Sequence, residues 1–290
     1  MSEDIIIKHY MKDEVLREIV DFSIGKWIAV HCAKTDESGE QLMFRYYPKT
    51  GKPLKISSPE DVKNLLIIFE RFSPRTFYAS INVYKRLEVK EDILDRINIV
   101  ASTPTWDIDP LKEDYNIVIR SVEELVSKLD SLGVSRSVIV KWSGRGAHVH
   151  IHPNAFSPKI YRKIHPLDVA YSVTEYVLRK MSNYDNVKIE NKIDLGRVFT
   201  IPLSIHRRLN RVSVCINVNE IWGFDLSWTD INSFRHDSSW RDHIVGEGDD
   251  LAERAFREIG PYLYKGRKKR VSKPLDKQIL ETLEKFKDVV

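Results

Sequence analysis

Asp107 and Asp109 stand one residue apart in Trp106-Asp107-Ile108-Asp109-Pro110, behind an apolar approach from Ile97 to Val100. Along a strand, residues i and i+2 point to the same face, so the two carboxylates project together. Two anions held that close are costly unless a cation neutralises them, and hard carboxylate oxygens suit Mg2+ or Mn2+. A bare Asp-x-Asp also describes a solvated strand end; its company in the sequence favours a metal pair. Downstream lies an apolar strand, Val138-Ile139-Val140, then Lys141-Trp142-Ser143-Gly144-Arg145-Gly146-Ala147, then His148, His150 and His152 at alternate positions. Gly144 and Gly146 let the backbone approach a ligand, and consecutive turn N–H groups cradle phosphate. Ser143, Arg145 and His148 supply a hydroxyl, a guanidinium fork and an imidazole, a set suited to triphosphate oxygens, and Lys141 lies one strand period before Ser143. The three histidines also raise a zinc cluster, but no Cys lies nearby and alternate strand residues are spread by about 7 Å.

A third segment carries Glu190 and Asp194, then Pro202-Leu203-Ser204-Ile205-His206, then Arg207, Arg208 and Arg211. Metal ligands, phosphate ligands and a further carboxylate make up the inventory of two-metal nucleotidyl transfer. No Ser-His-Asp triad is visible. Gly144-Arg145-Gly146 lacks the third Gly and the helix of a dinucleotide-binding fingerprint.

These residues need strands to aim them and helices to back the strands. Trp27 to Cys32 and Leu42 to Tyr46 read as strands. Ser58-Pro59 opens a helix with a cap Ser and Pro at the first helical position, followed by the apolar stripe Val62, Leu65, Leu66, Phe69. Val122, Leu125, Val126, Leu129 and Leu132 form a second stripe ended by Gly133, and Ala170, Val173, Val177 and Met181 a third. Strand, helix, strand, turn, strand around the first two segments puts the acids and the phosphate loop on adjoining strands of one sheet. The expectation is an α+β domain over residues 1–265, with a mixed, largely antiparallel sheet floor and flanking helices. A basic run, Lys265-Gly266-Arg267-Lys268-Lys269-Arg270, then leads into a C-terminal segment, 266–290, with Leu275, Ile279, Leu283 and Phe286 on one helical face.

Asp107-Ile108-Asp109, Ser143-Gly144-Arg145-Gly146-Ala147-His148 and Pro202-Leu203-Ser204-Ile205-His206, in that order, resemble the three catalytic motifs of the archaeo-eukaryotic primase superfamily, in particular those of the small catalytic subunit of DNA primase. The stretches 73–80 and 211–217, with Phe224-Asp225, resemble the family's flanks, and the likeness covers residues 40–235. It implies a template-dependent nucleotidyltransferase that makes RNA or DNA primers on single-stranded DNA in replication, using two Mg2+ or Mn2+ ions. Asp107 and Asp109 would be metal ligands. The third carboxylate is Glu190, allowing a two-residue deletion, or Asp194, which matches a second family acid. Ser143, Gly144, Arg145, Gly146, His148, Ser204 and His206, joined by Lys141, would bind the NTP or dNTP; Arg207, Arg208 and Arg211 would meet template or primer phosphates. A primase large subunit or other replication proteins are the implied partners. Two further readings stand beside this one: a gap-filling repair or end-joining polymerase of the same superfamily, and a non-catalytic nucleic-acid-binding paralogue. Family members often carry a Cys-rich zinc knuckle, whereas this chain has only Cys32 and Cys215, far apart, so no structural zinc is expected.

Composition is compatible with such an enzyme. The 290 residues are 42% hydrophobic and 30% charged, enough for a sizeable core, and the net charge of +4 permits contact with a phosphate backbone. Two Cys give no disulfide framework, no apolar run reaches the roughly 18 residues of a membrane span, and Met1-Ser2-Glu3-Asp4 is too acidic for a signal peptide. The expected location is cytoplasmic or at the nucleoid.

Overall fold

The structure, a computed structural model, describes residues 3–112, 114–182 and 185–263. The basic run and the amphipathic C-terminal segment expected at 266–290 lie outside the described residues. In chain order the elements are α1 (Glu3–Tyr10), α2 (Asp13–Ser23), β1 (Lys26–Thr35), β2 (Gln41–Phe44), α3 (Pro59–Ile68), β3 (Pro74–Tyr84), α4 (Glu91–Leu94), β4 (Ile99–Ser102), β5 (Thr105–Pro110), α5 (Tyr115–Ser131), β6 (Val138–Trp142), β7 (Ala147–Ile151), α6 (Pro158–Lys163), α7 (Pro166–Leu178), β8 (Val187–Asn191), β9 (Val198–Thr200), β10 (Val214–Ile216) and α8 (Asp249–Ile259). The cap expected at Ser58 forms a capping box, with the Ser58 side chain accepting from Asp61 N–H while the Asp61 carboxylate accepts from Ser58 N–H. The chain leaves α5 through Gly133 at φ +90°, a left-handed turn that favours glycine.

The fold is α+β as expected, but the floor is two sheets. One runs β2-β1-β3-β4, with β9 also pairing β3; the other runs β10-β6-β7-β5-β8. All the named strand pairs are antiparallel. The division falls within one dipeptide. Thr103 N–H still donates to Ile81 O in the first sheet, whereas Pro104 O already accepts from Ile151 N–H in the second. The apolar approach from Ile97 to Val100 is a surface turn and the start of an edge strand. Ile97 is 90% exposed there, and within β4 Val100 is exposed while Ile99, Ala101 and Ser102 are buried.

α5 lies across the second sheet on the face carrying Trp106 and Ile108, and α7 is tied to β5 by Trp106 Nε1–H donating to Thr174 O. The opposite, polar face of that sheet looks toward β9: Phe199 packs edge-on against His148, with ring centroids 4.7 Å apart. The acids therefore project into the space where the two sheets meet.

Candidate active site

Strand register builds the site. Reading across the second sheet, Cys215 on β10 is opposite Lys141 on β6, Lys141 opposite His148 on β7, His148 opposite Asp107 on β5, and Asp107 opposite Glu190 on β8. Directly opposed residues present their side chains on one face, so this row brings together groups from five strands. His148 Nε2 lies 3.2 Å from Asp107 Oδ1. Burial lowers the imidazole pKa more than the neighbouring carboxylate raises it, so His148 is neutral and donates an ordinary N–H bond. Asp107 is itself well buried. Burial alone would raise its pKa, but the contacts with His148 and Lys192 outweigh this and hold it well below the usual carboxylate range. Asp109, two residues on, is half exposed at the mouth.

The Gly-rich turn is wedged against both neighbouring motifs. A Cβ at Gly146 would stand 2.2 Å from Ile108 O and 3.2 Å from Asp109 Oδ1. Gly144, at φ +126°, passes so near His206 that a Cβ there would meet the imidazole Cδ2 at 2.4 Å. Inside the turn, Ser143 N–H and Oγ–H both donate to Gly146 O. Arg145 is exposed at the tip.

The Pro202 to His206 turn is strongly braced. Leu203 sits at φ +58°, a left-handed conformation that is strained for a branched side chain, and His9 Nε2 bonds its carbonyl at 2.7 Å. The buried Tyr10 hydroxyl donates to Arg75 O, lies 3.1 Å from Ser204 Oγ and accepts from Ile205 N–H. Arg75 reaches across to donate to His206 O at 2.9 Å and to Leu209 O at 2.8 Å. His206 Nδ1 accepts from the N–H groups of Leu209 and Arg208, which leaves Nε2 as the protonated, donating nitrogen. Burial, reinforced by the charges of Arg207, Arg145, Arg75 and Arg208, pushes its pKa down to about 4, so it is a neutral donor in a basic setting.

Two expected nucleotide ligands sit elsewhere. Lys141 is fully buried: its Nζ donates to Thr200 O at 2.5 Å and lies 4.9 Å from the Phe22 ring centroid, because Lys141 points between the two sheets and not toward the turn. Ser204 is also fully buried and receives Phe77 N–H at 2.7 Å, so it anchors the turn and presents no surface to a ligand. Of the two candidate acids, Glu190 lies in the Asp107 row. Asp194 turns away to Arg197, at 3.2 Å, and to Gly196 N–H, at 2.8 Å. The three alternate histidines part company: His148 faces Asp107, His150 Nδ1 bonds Thr105 Oγ at 2.8 Å, and His152 stacks on His243. Arg207 and Arg208 are exposed beside His206, and Arg211 is half-buried in a bridge to Asp230.

Lys192, Arg75 and Tyr10 escaped the sequence reading. Lys192 had a readable signal, being two residues past Glu190. Arg75 lay inside the flank but carried no motif of its own, and Tyr10 is joined to the site only by tertiary structure. The donor set suits a hard divalent ion, since carboxylate oxygens of Asp107, Asp109 and Glu190 all meet one cationic atom, Lys192 Nζ. Among the described residues, no group of three or more His, Cys, Asp or Glu side chains is placed to hold a metal ion as the side chains stand. Nor, among these residues, is any helix long and apolar enough to cross a membrane.

No family model and no curated protein matches the chain. Among solved structures, it is similar to the polymerase domain of Mycobacterium tuberculosis Ligase D in complex with DNA, with a TM-score of 0.53 and 11% identity over 90% of each chain. At that identity the likeness is one of fold.

Proposed function

We propose that the protein is a DNA-templated nucleotidyltransferase of the archaeo-eukaryotic primase superfamily, joining a nucleotide to a 3′-hydroxyl with release of pyrophosphate. One observation carries this reading: three motifs far apart in sequence meet at one point, with the Gly144 to Gly146 turn lodged between Asp109 and His206. The polymerase-domain fold supports it. Asp107 and Asp109, completed by Glu190 in preference to Asp194, would hold Mg2+ or Mn2+, which lowers the pKa of the attacking hydroxyl and neutralises phosphate charge. The protein's own groups then do the holding. Arg145 offers a guanidinium at the tip of the turn, and the His206 Nε2–H, kept neutral and rigidly aimed, donates to a terminal phosphate oxygen. His148 fixes the Asp107 carboxylate through Oδ1, and the other oxygen, Oδ2, faces Lys192 Nζ where the cation would sit. Arg207 and Arg208, exposed beside this point, suit template or primer phosphates.

Within this reading, priming on single-stranded DNA is the first role, and filling a gap in duplex DNA is the second, favoured by the Ligase D likeness. The test is incorporation of ribo- and deoxyribonucleotides on an unprimed single strand, a primed strand and a gapped duplex bearing a 5′-phosphate. Asp107→Ala and Asp109→Ala should each lower incorporation by at least about 10²-fold. A folded variant retaining more than about a tenth of the rate, set against that expectation, would refute the assignment. Synthesis on the unprimed strand marks a primase; activity confined to the gapped duplex marks the repair role.

A further inference from the structure

Lys192 reaches back from the turn after β8, and its Nζ touches one oxygen on each of three carboxylates: Asp107 Oδ2, Asp109 Oδ2 at 3.4 Å and Glu190 Oε2 at 3.1 Å. A lysine at a strand end ordinarily keeps its ammonium in water. Lys188, two residues before Glu190 on the same strand, does so: its side chain is 58% exposed and meets Glu190 Oε1, whereas Lys192 is 26% exposed.

The loop that presents Lys192 is cross-braced. Lys192 O accepts from Arg197 Nε–H at 2.9 Å, Arg197 Nη2 pairs with Asp194 Oδ2, Asp194 Oδ1 accepts from Gly196 N–H, and Gly196 O accepts from Arg45 Nη1–H at 2.9 Å. Asp194 thus acts on the carboxylate centre indirectly, by shaping the turn from which Lys192 extends.

We propose that Lys192 is a resident competitor for the divalent-ion site. It neutralises Asp107, Asp109 and Glu190 while no ion is bound, and it must withdraw before an ion can take the same oxygens. This rests on reading those three acids as the metal centre. The physical ground is exclusion: an oxygen lone pair directed at an ammonium is not free for a metal, and three carboxylates with neither partner would repel one another. Ion entry is therefore an exchange of one cation for another. Affinity falls short of what the carboxylates alone would give, while the ammonium keeps the three carboxylates ordered. Three partly exposed contacts are to be broken, so removing the lysine should tighten ion binding by about tenfold, roughly 1.4 kcal/mol.

The test uses the full chain and Mn2+ alone, without nucleotide or DNA, and reads free Mn2+ by electron paramagnetic resonance. Lys192→Met should bind Mn2+ about tenfold more tightly than wild type, whereas Lys188→Met should stay within about twofold. Equal affinity in wild type and Lys192→Met, or weaker binding in the variant, overturns the proposal. A second measurement needs no variant: brief acetylation of the wild-type protein, quantified by mass spectrometry relative to Lys188. Saturating Mn2+ should raise modification of Lys192 several-fold over the EDTA-treated protein, and unchanged modification overturns the exchange. Asp107→Asn separates the two levels. If it binds Mn2+ as wild type does, the metal-centre reading falls and the competitor role falls with it. If it loses binding while Lys192→Met matches wild type, only the role of Lys192 falls.

Discussion

Gly146→Ala tests the central geometry with a single methyl group. No positive φ restricts Gly146, so the backbone accepts alanine and the whole effect is steric. The added Cβ would stand 2.2 Å from Ile108 O, an atom of β5 that cannot rotate away. To approach the roughly 3.5 Å of an unstrained contact, turn and strand must part by more than about 1 Å. Overpacking of this kind costs about 1–3 kcal/mol of stability. The greater effect should be on chemistry: a displacement of about 1 Å between the phosphate-binding turn and the Asp107-Asp109 strand lowers the rate by about 10²-fold. Gly223→Ala is the control, because nothing lies within 4 Å of its Cβ position. The assay is single-nucleotide incorporation on a primed template under single-turnover conditions, beside thermal melting and the Kd for single-stranded DNA. The expected result is a loss of about two decades in rate, a modest fall in melting temperature and unchanged DNA affinity. A Gly146→Ala protein that melts like wild type and keeps more than a third of its rate would show that the turn is not wedged against β5, and the convergence of motifs would lose its support.

Three other perturbations follow from the geometry. Glu190→Gln should shift the Mn2+ requirement strongly, whereas Asp194→Asn, acting only through the turn, should shift it less; equal, small shifts would mean that neither acid completes the centre. His206→Ala should raise the nucleotide KM with some loss of kcat while DNA Kd at fixed salt stays near wild type, and a variant losing DNA affinity with an unchanged KM would contradict the role given to Nε2–H. Lys26 is buried with its Nζ 3.7 Å from the Phe22 ring centroid, and burial, aided by the charge of Lys141, lowers its pKa to about 7. The unfolded chain, with a lysine pKa of about 10.4, then binds more protons through that window, so stability should rise as pH climbs from about 7 to 10. Lys26→Met should remove that slope and raise the melting temperature near pH 7 by about 2–4 °C; parallel pH curves for the two proteins would disprove it.

Much of the site was legible because local rules write it. The period of two puts Asp107 and Asp109 on one face, the glycines mark the turn, and Ser58 and Gly133 punctuate helices, each through short-range chemistry. What the sequence hides is what only tertiary structure decides. Lys141 and Ser204 carry functional groups within motifs, yet the fold turns both inward, to Thr200 O and Phe77 N–H. The single expected floor divides at Thr103-Pro104, a break with no stronger local signal than one proline. Glu190 and Asp194 are separable only by register, since pairing with Asp107 selects one of them. Tyr10 and Arg75 are ordinary residues made important by what they meet after folding.

The place of β5 in the second sheet has a consequence for how the chain survives its own synthesis. β5 gains β7 on one side fairly early, but its other side stays open until β8, at Val187–Asn191, has been made. Through that interval it is an exposed edge carrying Trp106 and Ile108, the kind of strand on which chains aggregate. Asp107 and Asp109, with Pro110 at the strand end, are the residue types that discourage such pairing. The carboxylates proposed for chemistry therefore also guard an unfinished sheet, until β8 closes the edge and brings Lys192 in behind it. Alanine variants made to silence the centre remove that guard as well, and their soluble yield belongs beside their activity in any comparison.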